Sequence, residues 1–186
     1  MTRFLVYGGT FDPPHVGHVQ VPHAAMLHLG FNQVIYVLAR LSPLKIDAPP
    51  TQHEHRLAML QLALRDAPWA TISEIEIDRC GTSYTIDTLE ILQSTMGDGD
   101  AMRLLIGADQ WEQFDAWHRW QEIITIANPV VMPREGYTLN DERTLPINAL
   151  PAESTIIRDL VAHDEPIDQL VDPNVAAYIT KHSLYR

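Results

Sequence analysis

Two histidines that closely follow a pair of glycines form the part of this sequence best suited to chemistry. The segment follows a short apolar run at residues 4–7 and reads Gly8-Gly9-Thr10-Phe11-Asp12-Pro13-Pro14-His15-Val16-Gly17-His18. A glycine at the carboxyl end of a strand lets a phosphate approach the backbone closely, because no Cβ stands in the way. A helix that begins there offers unpaired N–H groups and the positive end of its dipole. The segment therefore predicts a phosphate-binding turn between a strand and a helix.

His15 and His18 are three positions apart, so we expect both imidazole rings to project from one face of the starting helix toward the same anion. Two imidazoles beside a phosphate can stabilise the charge that develops on phosphorus, a task that needs donors rather than a nucleophile. Taken alone, a Gly-Gly pair is more often a turn, and a His pair suits a surface or a metal site that needs further ligands. The joint pattern favours His15 and His18 as catalytic residues.

The composition is that of a globular chain with an acidic surface. Of its 186 residues 46% are hydrophobic, and 24 Asp and Glu against 13 Lys and Arg give a formal net charge of −11. This length predicts one domain over residues 1–186. The negative charge repels nucleic acid and anionic membranes. The sequence has no uninterrupted run of about 18 apolar residues, the length that could span a bilayer. Since Cys80 is the single cysteine and no secretory leader is evident, we expect a cytoplasmic protein with neither nucleic-acid nor membrane partners.

Strand and helix patterns alternate along the chain and predict the elements that hold the turn. Strands are predicted at residues 4–7, 34–38, 71–77, 103–107 and 129–132, and helices at 19–29, 52–65, 83–94, 109–120 and most of 166–184. This alternation is typical of an α/β fold with a Rossmann-like parallel sheet and helices on both faces. Ligands of such sheets bind beyond the carboxyl ends of the strands, where the strand order reverses. Pro22 conflicts mildly with the first helix, because proline lacks a backbone donor.

The turn and four later segments together resemble one protein family. Residues 8–18 resemble the GG[ST]FDPxHxGH stretch of nicotinate/nicotinamide-nucleotide adenylyltransferases, within the HxGH nucleotidyltransferase superfamily. Residues 83–89, Ser83-Tyr84-Thr85-Ile86-Asp87-Thr88-Leu89, resemble the SYTxxTL segment of the family, and Gly107-Ala108-Asp109 resembles its strand-ending GxD. Trp117 falls where the family places an aromatic ring over the pyridine ring. Ser154-Thr155-Ile156-Ile157-Arg158 resembles the late S[ST]xIR segment. The tail, with Val175, Tyr178-Ile179 and Leu184-Tyr185-Arg186, is also similar, so the resemblance covers almost the whole chain.

The resemblance implies transfer of AMP from ATP to nicotinate mononucleotide, which gives deamido-NAD and pyrophosphate. The 5′-phosphate oxygen of the acceptor attacks the α-phosphorus in line, His15 and His18 donate to phosphate oxygens, and Mg²⁺ offsets the remaining charge. By the same resemblance, the ATP-binding residues are Gly8, Gly9, Thr10, Phe11, Gly17, Gly107, Asp109, Arg134, Ser154, Thr155 and Arg158. The acceptor-binding residues are Lys45, Ser83, Tyr84, Thr85 and Trp117. No metal held by protein side chains is expected, and the pattern leaves room for a homo-oligomer.

Several of these residues also have plainer interpretations. Ser83 and Asp109 each suit the N-cap position of a helix. Lys45 and Arg158 are of a type that is usually solvated, and a tryptophan such as Trp117 is more often part of the core.

The chain departs from the family pattern at a few positions. Leu38 and Leu44 stand where the family usually has proline and histidine, and Glu153 places a negative charge beside the expected triphosphate. These departures leave open another HxGH nucleotidyltransferase, with nicotinamide mononucleotide or phosphopantetheine as acceptor or CTP as donor, and a non-catalytic nucleotide-binding sensor. Nine histidines would also suit metal storage, but they are scattered along the chain.

Overall fold

A parallel sheet of five strands forms the centre of the protein. The computed structural model describes residues 1–40, 50–79, 83–134, 137 and 141–186. Its strands are β1 (Arg3–Gly9), β2 (Gln33–Leu38), β3 (Ala70–Ser73), β4 (Ala101–Gly107) and β5 (Val130–Met132). Their order is β3-β2-β1-β4-β5, and every neighbouring pair is parallel. The order reverses between β1 and β4, so the carboxyl ends of these two strands open a crevice at the switch point.

Helices cover both faces of this sheet. They are α1 (Val16–Leu29), α2 (His53–Ala63), α3 (Ile75–Asp78), α4 (Thr85–Thr95), α5 (Ala108–Trp111), α6 (Trp120–Ala127), α7 (Ser154–Ala162) and α8 (Pro173–Lys181), with a 3₁₀ turn at Phe114–Ala116. In the parts of the chain that the structure describes, no helix is both long and apolar enough to cross a bilayer.

Neighbouring side chains of one strand point to opposite cores, as the period of two in a strand requires. Leu5 of β1 packs in one core with Ala25 of α1, whereas Val6 packs in the other with Leu89 of α4 and Ile123 of α6. The prediction of a parallel sheet with helices on both faces is therefore confirmed.

A third apolar cluster joins the C-terminal helices to α2. Met59 of α2, Ile157 of α7 and Val175 of α8 are fully buried in it, and Tyr185 packs against its edge. This cluster brings residues that are distant in sequence close to the end of β1.

The predicted elements at residues 71–77 and 109–120 differ from the structure. The predicted strand at residues 71–77 ends at Ser73, and the short helix α3 occupies Ile75–Asp78. The predicted helix at 109–120 is divided, because α5 ends at Trp111, a 3₁₀ turn occupies Phe114–Ala116 and Trp117 has extended backbone angles. Arg119, the N-cap of α6, lies in the left-handed region with φ of 56° and pairs with Glu90 at 2.7 Å and Glu122 at 2.6 Å.

The predicted helix at 166–184 is restricted to α8, because a proline sets its start. Pro173 occupies the first turn, where its missing N–H costs no hydrogen bond, and Asp172 caps the helix by accepting from the Asn174 N–H at 2.7 Å.

Pro22 lies inside α1 without interrupting it. A proline cannot donate to the carbonyl four residues earlier, which here belongs to His18. The hydroxyl of the buried Tyr36, on β2, donates to that carbonyl oxygen at 3.0 Å. The neighbouring strand therefore replaces the missing helical donor and ties His18 to the sheet.

Candidate functional site

The crevice between the ends of β1 and β4 widens into a cleft of about 1160 Å³. The turn after β1, the starts of α4, α5 and α7 and the segment after β5 surround it. Its lining includes every described residue of the predicted site, namely Gly8, Gly9, Thr10, Phe11, His15, Gly17, His18, Ser83, Tyr84, Thr85, Gly107, Asp109, Trp117, Arg134, Ser154, Thr155 and Arg158. Lys45, the remaining predicted residue, lies outside the described residues.

The imidazole rings of His15 and His18 stack on each other at the start of α1. Their centroids are 3.6 Å apart and their planes differ by 29°. His15 is the N-cap with extended backbone angles, so the prediction that both histidines lie on the helix is wrong for His15. The Nδ1 of His18 accepts from the His15 backbone N–H at 3.2 Å, so the proton of a neutral His18 ring lies on Nε2. This capping geometry brings the two rings to the same wall of the cleft.

His15 is buried and is neutral at pH 7. Its side chain is 8% exposed, and its Nδ1 has no hydrogen-bond partner among the described residues. Burial, together with the nearby positive charge of Arg134, lowers the pKa of His15 from 6.5 to about 4. A buried nitrogen without a partner at the wall of a cleft is suited to a ligand that supplies one.

The glycines of the turn serve two different purposes. A Cβ on Gly8 would meet nothing within 4 Å, so its space belongs to the cleft. A Cβ on Gly9 would lie 2.7 Å from the Phe11 ring, and one on Gly17 would lie 3.1 Å from the His15 ring. Only Gly8 therefore fits the predicted role of opening the backbone to a ligand, whereas Gly9 and Gly17 make room for neighbouring rings.

Phe11 supports the histidines from behind. It is 1% exposed, and its ring lies edge-on to the His18 ring with centroids 5.1 Å apart. Its φ of 49° lies in the left-handed region, which turns the ring into the core beneath the cleft. The buried ring thus packs against His18, and because Phe11 also lines the cleft, its part in ATP binding stays a prediction.

A guanidinium between two carboxylates occupies one side of the cleft. Arg134 donates through Nη1 to Asp109 at 2.6 Å and pairs through Nη2 with Glu153 at 3.3 Å. Asp109 is not a helix cap, because Gly107 is the N-cap of α5, and a Cβ on Gly107 would collide with the Asp109 carboxylate. Glu153 thus lies beside the predicted phosphate site but is paired with a cation.

The start of α4 forms the opposite end of the cleft. Tyr84 is the N-cap, so the interpretation of Ser83 as the cap is wrong. The backbone N–H groups of the first turn, beginning with Thr85, have no helical acceptor. The Tyr84 ring lies 4.5 Å from the His118 ring, and Trp117 adds a half-buried indole whose Nε1 has no partner within the described chain. This end of the cleft therefore combines anion-binding amides with aromatic rings.

Side chains from the start of α7 hold the turn after β1. The Ser154 hydroxyl donates to the Pro13 carbonyl at 2.9 Å, and Arg158 donates through Nη1 to the Asp12 carbonyl at 2.8 Å. Arg158 also donates to the Thr155 hydroxyl at 3.3 Å. These predicted phosphate ligands thus brace the turn from across the cleft.

Some residues of the site were not among the predicted site residues. His118 and Tyr185 line the cleft, and the buried Arg56 donates to the backbone of the turn. One signal for Arg56 is present in the sequence, since it shares a helix face with the buried Met59 and Leu60. A charged residue on such a face needs buried partners.

Comparison with known proteins gives a consistent assignment. The Cytidylyltransferase-like family matches residues 6–160. The Bacillus pumilus protein named "Probable nicotinate-nucleotide adenylyltransferase" is 32% identical over 100% of this chain and 99% of its own length. The Clavibacter michiganensis protein of the same name is 37% identical, over 99% of this chain and 94% of its own. The structure of Plasmodium falciparum nicotinic acid mononucleotide adenylyltransferase complexed with NaAD is similar to this one, with a TM-score of 0.84 at 16% sequence identity. The match covers 100% of this chain and 98% of that chain, and it supports the fold.

The buried neutral His15 predicts a specific loss of stability in acid. Its folded pKa of about 4 lies below the usual value of 6.5, so the unfolded chain takes up this proton first as the pH falls. The stabilisation is complete above about pH 6.5 and is lost between that pH and about pH 4. Between pH 7 and pH 4.5, we expect wild type to lose about 2 kcal/mol more of its free energy of unfolding than His15→Asn. Urea titrations at both pH values measure this, and equal losses would contradict the buried neutral state.

Proposed function

Because this chain belongs to the nicotinate-nucleotide adenylyltransferase family, we propose that residues 1–186 act as one nucleotidyltransferase domain that transfers AMP from ATP to nicotinate mononucleotide. The products are deamido-NAD and pyrophosphate. The observation that carries this proposal is the stacked His15–His18 pair, which lines the same cleft as the open backbone at Gly8.

The proposed reaction is a direct displacement at the α-phosphorus of ATP. An oxygen of the acceptor 5′-phosphate forms the new P–O bond while the bond to the β-phosphate breaks. The N–H groups of Val16 and His18 already donate to the carbonyls of Leu170 and His15, so the start of α1 contributes chiefly the positive end of its dipole, and His18 donates from Nε2. Phosphate beside His15 raises the pKa of its imidazole, which then gains a proton and a positive charge where the transition state is negative.

The start of α4 is the proposed site for the pyridine ring of the acceptor. Its first-turn amides favour a carboxylate, because the positive end of the helix dipole attracts an anion. Tyr84, Trp117 and His118 offer rings against which a flat heteroaromatic can stack. Both features stabilise the binding of a nicotinate ring, whereas only the stacking stabilises the binding of a nicotinamide ring.

The remaining ligands and partners follow from charge and from donor chemistry. Among the described residues, no group of three or more His, Cys, Asp or Glu side chains could hold a metal ion. We propose that Mg²⁺ enters bound to the phosphates of ATP, whose oxygens are the kind of ligand that it prefers. A net charge of −11 repels nucleic acid and anionic membranes, so we propose neither as a partner of this enzyme, and we propose a cytoplasmic location.

Pyrophosphate release with different acceptors tests the proposed function. We expect the highest kcat/KM with ATP and nicotinate mononucleotide, at least about tenfold above the value with nicotinamide mononucleotide. A tenfold difference corresponds to about 1.4 kcal/mol of binding free energy contributed by the carboxylate. Phosphopantetheine and CTP serve as the alternative acceptor and donor. A preference for either, or ATP binding without pyrophosphate release under all conditions, would refute the assignment.

His18→Ala tests the catalytic donor. We expect kcat to fall by about 10²–10³, as for the loss of one oxyanion-hole donor, while the affinity for ATP changes by less than about threefold. Steady-state kinetics with isothermal titration separates the two effects. His163→Ala, an exposed histidine at the end of α7 and outside the cleft, is the matched control and should keep wild-type kinetics. A His18→Ala enzyme with a near-wild-type rate would remove His18 from the reaction.

Glu153→Gln tests the carboxylate beside the phosphate site. In the ligand-free protein Glu153 pairs with Arg134, so a triphosphate must compete for this guanidinium and tolerate a nearby negative charge. We expect the KM for ATP to fall about threefold to tenfold at low salt with little change in kcat, and the gain to shrink as salt screens it. Glu165→Gln, an exposed carboxylate outside the cleft, should leave the KM unchanged. An unchanged or higher KM in Glu153→Gln would show that this charge does not oppose ATP.

A further inference from the structure

The carboxylate of Asp12, inside the turn after β1, is held by residues from other parts of the chain. Asp12 is 7% exposed and lies three residues before His15. Its Oδ1 accepts from the Tyr185 hydroxyl at 2.6 Å, and its Oδ2 accepts from the Thr51 N–H at 2.9 Å. Both oxygens therefore serve the protein, so the Asp12 carboxylate anchors the turn.

Arg56 fixes the segments on either side of this anchor. It is 2% exposed and donates through Nη1 to the carbonyls of Thr10 at 2.9 Å and Ala39 at 2.8 Å, and through Nε to that of Thr51 at 2.8 Å. Its positive charge also lies near Asp12. The turn, the end of β2 and the start of α2 are thus joined at one buried guanidinium.

Tyr185 joins this frame from the segment after α8. Its φ of 64° lies in the left-handed region, which a bulky residue rarely adopts unless its surroundings hold it there. The ring packs against the α2–α7–α8 cluster, and the residue lines the cleft. Burial and the Asp12 carboxylate raise the pKa of Tyr185, so its hydroxyl keeps its proton and donates.

We propose that Tyr185 is a positioning residue for the adenylyl transfer, because its hydroxyl holds Asp12 and thereby places His15 and His18 against the reacting phosphate. This inference rests on the proposed function. Without the hydroxyl, Oδ1 of Asp12 is a buried acceptor with no donor from Tyr185, and the turn shifts to find another. A shift of a fraction of an ångström in the donors weakens transition-state contacts more than ground-state binding.

Tyr185→Phe is the test, and Tyr178→Phe is its matched control. Phenylalanine keeps the ring and its packing, so the change is confined to one hydroxyl. Tyr178 packs against the same cluster and its hydroxyl bonds to His55 Nδ1 at 3.0 Å, but Tyr178 does not line the cleft. We expect kcat in Tyr185→Phe to fall about tenfold to hundredfold with the KM for ATP within about threefold of wild type. Tyr178→Phe should retain both values within about twofold.

A second measurement does not depend on activity. In the ligand-free protein, we expect Tyr185→Phe to shift the ring NMR signals of His15 and His18, and Tyr178→Phe to leave them in place. Unshifted signals in Tyr185→Phe, an unchanged kcat, or equal losses of kcat in both variants would overturn the proposal. Wild-type protein without pyrophosphate release would refute the adenylyl transfer instead, while the NMR signals would still report whether Tyr185 places the two rings.

Discussion

The placement of two imidazoles depends on how the turn between β1 and α1 is held. That turn carries the Asp12 carboxylate, which accepts hydrogen bonds from Tyr185 and from the backbone of Thr51. Its carbonyls accept from Arg56, Ser154 and Arg158. Because these donors come from α2, α7 and the segment after α8, the C-terminal half of the chain is needed to fix residues near its beginning. The parallel sheet forms the crevice, and these long-range hydrogen bonds fix the positions of the two imidazole rings in it.

The electrostatics of the cleft depend on how its positive charges are paired. In a chain with net charge −11, the described cleft pairs Arg134 with two carboxylates and leaves His15 neutral. Arg158 adds a guanidinium to the cleft, and the positive charge at the phosphate site increases when a phosphate raises the pKa of the buried imidazole. Amides at helix starts add attraction without a net charge. The site thus favours a ligand that brings its own strong negative charge.

The sequence predicts those parts of the site that are local. The Gly8-Gly9 pair and two histidines lie within eleven residues and indicate the turn, because strand and helix signals lie on either side of it. The bond between Asp12 and Tyr185 joins residues 173 positions apart, and no local pattern indicates it. The low pKa of His15 likewise results from burial by distant elements. The predicted helix at 109–120 is divided among α5, a 3₁₀ turn and the start of α6, which propensity alone does not reveal.

The most direct measurement is ¹⁵N NMR of the histidine rings during a titration with ATP at neutral pH. If both rings share one phosphate site, the signals of His15 and His18 will move together at the same ATP concentration, and His15 will become protonated on binding. If ATP binds while either ring keeps its ligand-free signal, the two imidazoles do not act on a common phosphate, and the central claim is wrong.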